Sequence, residues 1–420
     1  MKSNKVLFAC FGVFMGGLSM VTAGTSEYHL EIGDPARKAR EVPVVLDVIT
    51  DARTGEALSP VELASRLSDK RIVLVGESHI NMDFHLAQLR IIEELHKAGK
   101  PVIIGLEMYP YTSQEYLDRW VEGMYTEEGF LDISSWYDSW GNHWDYYRDI
   151  FLFARDNGLR MYALNTPREV VAAVRKKGLD ELSEEERAHI PTEIDVDNEE
   201  HLRLFKAFFE DEEDFHSSMS EEQWRGMFAA QCTWDATFAH NALKVLEEQG
   251  DPEAILVVLV GSGHVVYDLG IQRQAAQWSD LPIASVIPIP IRTGDDEPIE
   301  TVQASYADFV WGLPAETDPL YPVLGVSTRK GKEDDRRSVI YVDDESVGAR
   351  AGFELGDLIL EMDGEPIPDK ERLAQLMAGK RWGDTVVVKV QRGEETVALE
   401  VAFRREPPAD DNDTDGEESQ

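Results

Sequence analysis

Ile-Val-Leu-Val-Gly-Glu-Ser-His, residues 72–79, is a short apolar run that stops at Gly76 and delivers Glu77 and His79. A second stretch repeats the plan: Ala254 to Val260 is apolar, and Gly261-Ser262-Gly263-His264 follows. Short apolar runs bounded by glycine are strands buried on both faces, the kind that parallel sheets covered by helices require. Each histidine then lies just past the carboxyl end of a strand. Open α/β sheets gather their ligands in the crevice outside those ends. Two GxxH turns about 185 residues apart in sequence are therefore expected to be neighbours in space.

Outward from the first run, Asn81 or Asp83 can cap a helix whose Leu86, Leu89, Ile92 and Leu95 share a face, with Gly99 as its stop. Val102 to Leu106 is the next strand and ends at Glu107; a right-handed crossover puts that glutamate at the same edge as His79. Arg160 to Leu164 makes a further strand, ending in Asn165 and Arg168, and Ile283 to Ile287 closes the series. Val44 to Ile49 is a candidate leading strand, and Gln231 to Glu248 reads as a long helix. This alternation predicts an α/β domain over 45–290, a mainly parallel sheet flanked by helices. Between two strands, residues 109–147 hold a crowd of tyrosines and tryptophans, read as a helical excursion that is either a flat-ligand pocket or a small aromatic core.

From residue 291 an Asp-, Glu- and Pro-rich linker runs to 321, a small β-rich domain occupies 322–405, and the acidic stretch 406–420 is expected to be disordered. At the other end Lys2, Lys5, an apolar stretch and Val21-Thr22-Ala23 have the layout of a signal peptide over 1–23, which predicts a soluble exported protein, with membrane anchoring disfavoured. Its removal takes away two lysines and no acid, moving the net charge from −39 to −41. So acidic a chain offers no basic face for nucleic acid. Cys232 would then be the only cysteine, which excludes an intrachain disulfide; its setting on a packed helix predicts a buried apolar filler.

The strand ends offer Glu77, His79, Glu107 and His264 as a catalytic group, should the protein be a hydrolase. His79, Glu107 and His264 suffice for a divalent metal ion, or for acid and base work without one. Arg168 suits a carboxylate such as a propionate. His85, His96, His189 and His201 are read as helix-surface residues, while His143 and His216 sit among aromatics near the expected cleft.

The succession GESH (76–79), GLEM (105–108), ALNTPREVV (163–171), AAQCTWDATFAHNA (229–242) and VLVGSGHVVYDLGIQRQ (258–274) resembles the ChaN-like haem-binding uptake family of the Tiki superfamily. The resemblance implies a role in iron uptake, haem ligated by a tyrosine with a histidine assisting, and a cofacial haem pair shared across a homodimer. The candidate cofactor-binding residues are Tyr109, Tyr111, Tyr116, Tyr146, Tyr147, Asn165 and Arg168. An anionic phenolate favours ferric iron. Tiki relatives imply instead a metal-dependent peptide hydrolase built on His79, Glu107 and His264. Residues 322–405 resemble a bacterial PDZ domain, with Leu324-Gly325-Val326 as the loop that captures a partner's C-terminal carboxylate while the peptide adds as a strand. A third expectation is a non-catalytic periplasmic adaptor working through that cleft alone.

Overall fold

The computed structural model describes residues 27–209, 219–291, 299–315, 319–331, 335–344 and 346–405. The expected signal peptide, the acidic tail, His216 and parts of the 291–321 stretch lie outside the described residues. The chain divides into two compact units at residues 317 and 318.

In the first unit the strands are β1 (Glu41–Pro43), β2 (Ile49–Asp51), β3 (Ala57–Leu58), β4 (Ile72–Glu77), β5 (Val102–Pro110), β6 (Met161–Asn165), β7 (Ile255–Gly261), β8 (Ile283–Ile291), β9 (Thr301–Gln303) and β10 (Phe309–Pro314). Eight of them form one sheet in the order β3-β2-β10-β8-β4-β7-β5-β6. The six from β10 to β6 run parallel, and β2 and β3 are antiparallel at the edge. β4 and β7 are buried at every position, as the apolar runs Ile72–Val75 and Ile255–Val260 require, and β4 carries the buried Glu77 at its end.

The flanking helices are α1 (Pro60–Leu67), α2 (Met82–Lys97), α3 (Gln114–Val121), α4 (Glu127–Ile133), α5 (Trp136–Ser139), α6 (Arg148–Asn157), α7 (Arg168–Lys177), α8 (Glu184–Arg187), α9 (Glu199–Ala207), α10 (Glu221–Gln249) and α11 (Ile271–Ala275). Asn81 caps α2 by accepting from the Phe84 N–H. Among the described residues no helix is long and apolar enough to cross a membrane.

Two expectations are corrected. The strand expected over 44–49 is replaced by β1, which ends at Pro43, and β2, which begins at Ile49. Residues 301–314 are not a loop: β10 inserts beside β8 and carries the sheet to its antiparallel edge. The aromatic excursion is a packed core, in which Trp120, Phe130, Trp136, Tyr147 and Phe151 are fully buried and meet mostly edge to face.

The second unit is an antiparallel sheet of β11 (Val326–Lys330), β12 (Arg337–Val342), β13 (Leu358–Met362), β14 (Glu365–Pro366), β15 (Thr385–Arg392) and β16 (Glu395–Ala402), with helices α12 (Val347–Ala351) and α13 (Lys370–Ala378). It has its own core around Val339, Ile359, Val388 and Phe403. Asp357 is buried and held bidentately by Arg392, at 2.8 and 2.7 Å.

Candidate functional site

β7 lies between β4 and β5, so the two GxxH turns are adjacent and Glu107 faces them from the other side. Glu77 is level with Gly261 in the parallel register, and His264 sits on the single helical turn Ser262–His264 just beyond. The pairing of β5 with β6 slips between Leu106 and Pro110, an irregularity of the kind that re-aims side chains beside sites. The Glu107 carboxylate accepts from the Gly261 N–H at 2.7 Å and lies 3.6 Å from His264 Nε2. A methyl group on Gly261 would stand 3.2 Å from His79 Cε1 and 3.7 Å from Glu107 Oε2. His79 and Glu107 thus meet over Gly261, His264 lies against Glu107, and all three are buried.

Behind them stand partners, of which Gln88 and Asp235 were not among the candidates the sequence offered. His79 Nδ1 is 2.8 Å from Glu77, whose two oxygens also accept from the Tyr147 hydroxyl (2.6 Å) and Gln88 Nε2 (2.7 Å). His264 Nδ1 is 2.6 Å from Asp235 on α10. A carboxylate on each Nδ1 fixes the ring's orientation and leaves Nε2 as the working nitrogen. His85 is buried rather than on the surface, 3.6 Å from Glu77, and His201 is buried beside Arg273 and Cys232. The periodicity of a helix shows which positions face inward but not which polar residue among them has a buried partner.

Burial alone would raise the Glu77 pKa; the nearby His85, the His79 contact and the Tyr147 hydroxyl reverse this and hold it at about 2. Burial opposes charge on His79 and His264, but Glu77 and Glu107 around the first, and Asp235 and Glu107 around the second, lift both above the ordinary histidine value. Burial raises the Asp235 carboxyl. Among the described residues no group of three or more His, Cys, Asp or Glu side chains is arranged to hold a metal ion. His79, Glu107 and His264 are linked to one another and to their carboxylate partners by hydrogen bonds and close charge contacts.

The haem candidates separate by exposure. Tyr109 and Tyr147 are fully enclosed, bonded to Ser134 (2.7 Å) and Glu77, and Tyr146 is buried with them. All three are enclosed in the aromatic core. Tyr116 is half-buried on α3. Tyr111 is different: it is exposed on the turn that follows β5, and its hydroxyl is 2.7 Å from His189 Nδ1. Thr166 fixes the His189 carbonyl at 3.0 Å, and Arg168, two residues on, is exposed and donates to the Asp138 carbonyl. Asn165 spends its amide on the Glu107 carbonyl (2.8 Å), which ties the strand end where the ladder slips. Tyr111 thus offers an exposed phenol with an imidazole against its oxygen.

In the second unit Gly325 has φ +67°, and a methyl group there would stand 2.1 Å from Ser346 Cβ, so the loop into β11 requires glycine. Leu324 is buried and Val326 packs on the core. Among the described residues β11 is an edge strand, paired only with β12.

Comparison with known proteins adds the following. A PDZ family model matches residues 322–403. An Arabidopsis thaliana protein, RETICULATA-RELATED 5, chloroplastic, is 29% identical over 129 residues, a match that spans 29% of this chain and only 17% of that protein. A solved structure described as cofacial heme binding to ChaN of Campylobacter jejuni is 17% identical, covering 64% of this chain and 98% of its own, with a TM-score of 0.47. The HtrA-type protease AlgW with decapeptide is 25% identical over 22% of this chain and 32% of its own, at a TM-score of 0.20. The model of the haem-binding uptake family, Tiki superfamily, ChaN, matches residues 63–274, just over half of the 420, and to that family the chain belongs, with a PDZ domain following it.

Proposed function

We propose that the protein binds haem at the ends of β5 and β6, where Tyr111 would hold the iron and His189 would take up the phenol proton. The accessible Tyr111 hydroxyl, 2.7 Å from His189 Nδ1, is the observation that carries this reading. Removing the phenol proton to a neighbouring imidazole yields the anionic oxygen that ferric iron prefers. Arg168 would meet a propionate, since a guanidinium matches a carboxylate in a planar fork. When bound, the haem supplies the iron; the residues of this chain supply the phenolate, its base and a counter-charge. Hemin titration of the intact chain tests this. The expected result is a shifted Soret band that Tyr111→Phe abolishes and Tyr116→Phe retains. An unchanged band in Tyr111→Phe would defeat the assignment.

Export through the 1–23 segment, service in iron uptake and assembly as a haem-sharing homodimer belong to the same proposal. They make the protein a periplasmic carrier. The PDZ domain is its docking module, taking a partner's C-terminus along the open edge of β11 with the carboxylate on Leu324-Gly325-Val326. A peptide with a free apolar C-terminus is expected to bind, its amidated form to bind at least about tenfold more weakly, and Gly325→Val to bind neither. Equal affinity for both forms would rule out carboxylate capture.

A second reading, acid–base hydrolysis at His79, Glu107 and His264, is favoured by one observation: both imidazoles are anchored through Nδ1 to buried carboxylates.

A further inference from the structure

The segment that holds the second GxxH turn in shape comes from the start of the described chain, outside the stretch matched by the family model. We propose that residues 27–38 act as a clasp that positions His264, with Tyr267 and Arg37 as the positioning residues. This does not rest on the haem reading.

Immediately after His264 the backbone takes two consecutive left-handed residues, neither of them glycine: Tyr267 at φ 62° and Asp268 at φ 59°. L-residues avoid this region, and a large aromatic residue there persists only where its surroundings hold it. The surroundings here are the clasp. The Tyr267 hydroxyl donates to the Glu27 carbonyl at 2.6 Å and accepts from the Leu30 N–H at 3.0 Å. Its ring meets Tyr306 edge-on, and Tyr306 in turn packs against Tyr28. Gly33 passes so close that a Cβ there would stand 2.6 Å from the Tyr267 carbonyl oxygen.

Asp268 is held from the same side. Its carboxylate receives Arg37 at 3.1 Å, and that buried guanidinium also donates to the carbonyls of Ala304 and Ala307 and to Asp34. The strained pair transmits its position to the histidine through Gly270, where a Cβ would lie 2.1 Å from the His264 carbonyl oxygen. The clasp, the left-handed turn and the His264 backbone therefore fit together only in one arrangement. If the clasp leaves, the turn is free to relax, and His264 moves away from Asp235 and Glu107.

The test uses the full chain with labelled histidines, observed by NMR, the His264 signal being identified by its loss in His264→Gln. Tyr267→Phe removes both hydrogen bonds to the clasp and keeps the ring; Gly33→Val drives the clasp off by contact. In both variants residues 27–38 are expected to be cleaved by protease about tenfold faster, while the melting of the domain stays cooperative. The His264 ring signal is expected to shift or split, and the His96 signal to stay. Faster cleavage with an unmoved His264 signal would overturn the positioning role. Undiminished protection in Tyr267→Phe would overturn the clasp itself.

Discussion

Glu77 is buried, and its two oxygens are met by His79, Tyr147 and Gln88 at hydrogen-bond distance, with His85 just beyond. That arrangement makes the fold's stability depend on pH in two directions. With its folded pKa at about 2 against an ordinary 4.5, Glu77 stabilises the fold above pH 4.5, and this stabilisation is lost as the pH falls from there toward 2. His79 and His264 are raised above the ordinary 6.5, so their contribution is complete below that value and is lost as the pH rises through their folded pKa. Melting temperature plotted against pH is expected to fall on both sides, and His79→Gln is expected to flatten the alkaline limb. At this scale the sequence shows Glu77, His79, Glu107 and His264, because each follows an apolar run. It hides Asp235 and Gln88, which lie on helices amid other inward-facing positions. Tyr111 looks no different from its buried neighbour Tyr109 two residues before it, since only tertiary packing separates them.

At the scale of elements, β4 and β7 are legible because a strand buried on both faces admits little but Val, Ile and Leu. β10 was hidden by the acidic and proline-rich residues on either side, although Phe309-Val310-Trp311 is apolar enough to enter a sheet. Its Gly312 explains how it fits: a methyl group there would stand 2.3 Å from the Val45 carbonyl oxygen, a backbone atom that cannot turn aside. Gly312→Ala is accordingly expected to cost about 1–3 kcal/mol by urea denaturation. A comparable change at Gly158, where φ is positive but nothing lies within 4 Å, should cost less, about 1 kcal/mol.

At the scale of the molecule, the stretch matched by the family model ends at residue 274, yet the sheet does not. β8 borders β4 along Ile72 to Val75, and β10 borders β8. A chain cut after residue 274 therefore exposes one whole side of β4 and is expected to precipitate, whereas one cut after residue 315 is expected to stay in solution and melt cooperatively. Solubility and circular dichroism of the two fragments decide it. The separate core of the second unit predicts that residues 319–405 fold by themselves.

The position of β4 also bears on how the polypeptide is made. It is among the first sheet segments to leave the ribosome, but both strands that flank it, β7 and β8, emerge some 180 to 210 residues later. Until β7 emerges this greasy segment has neither of its flanking strands to pair with, and contacts of such long sequence separation form slowly. The nascent chain thus carries an unshielded hydrophobic run through translation, and holding it apart from other chains during that interval is work for a chaperone.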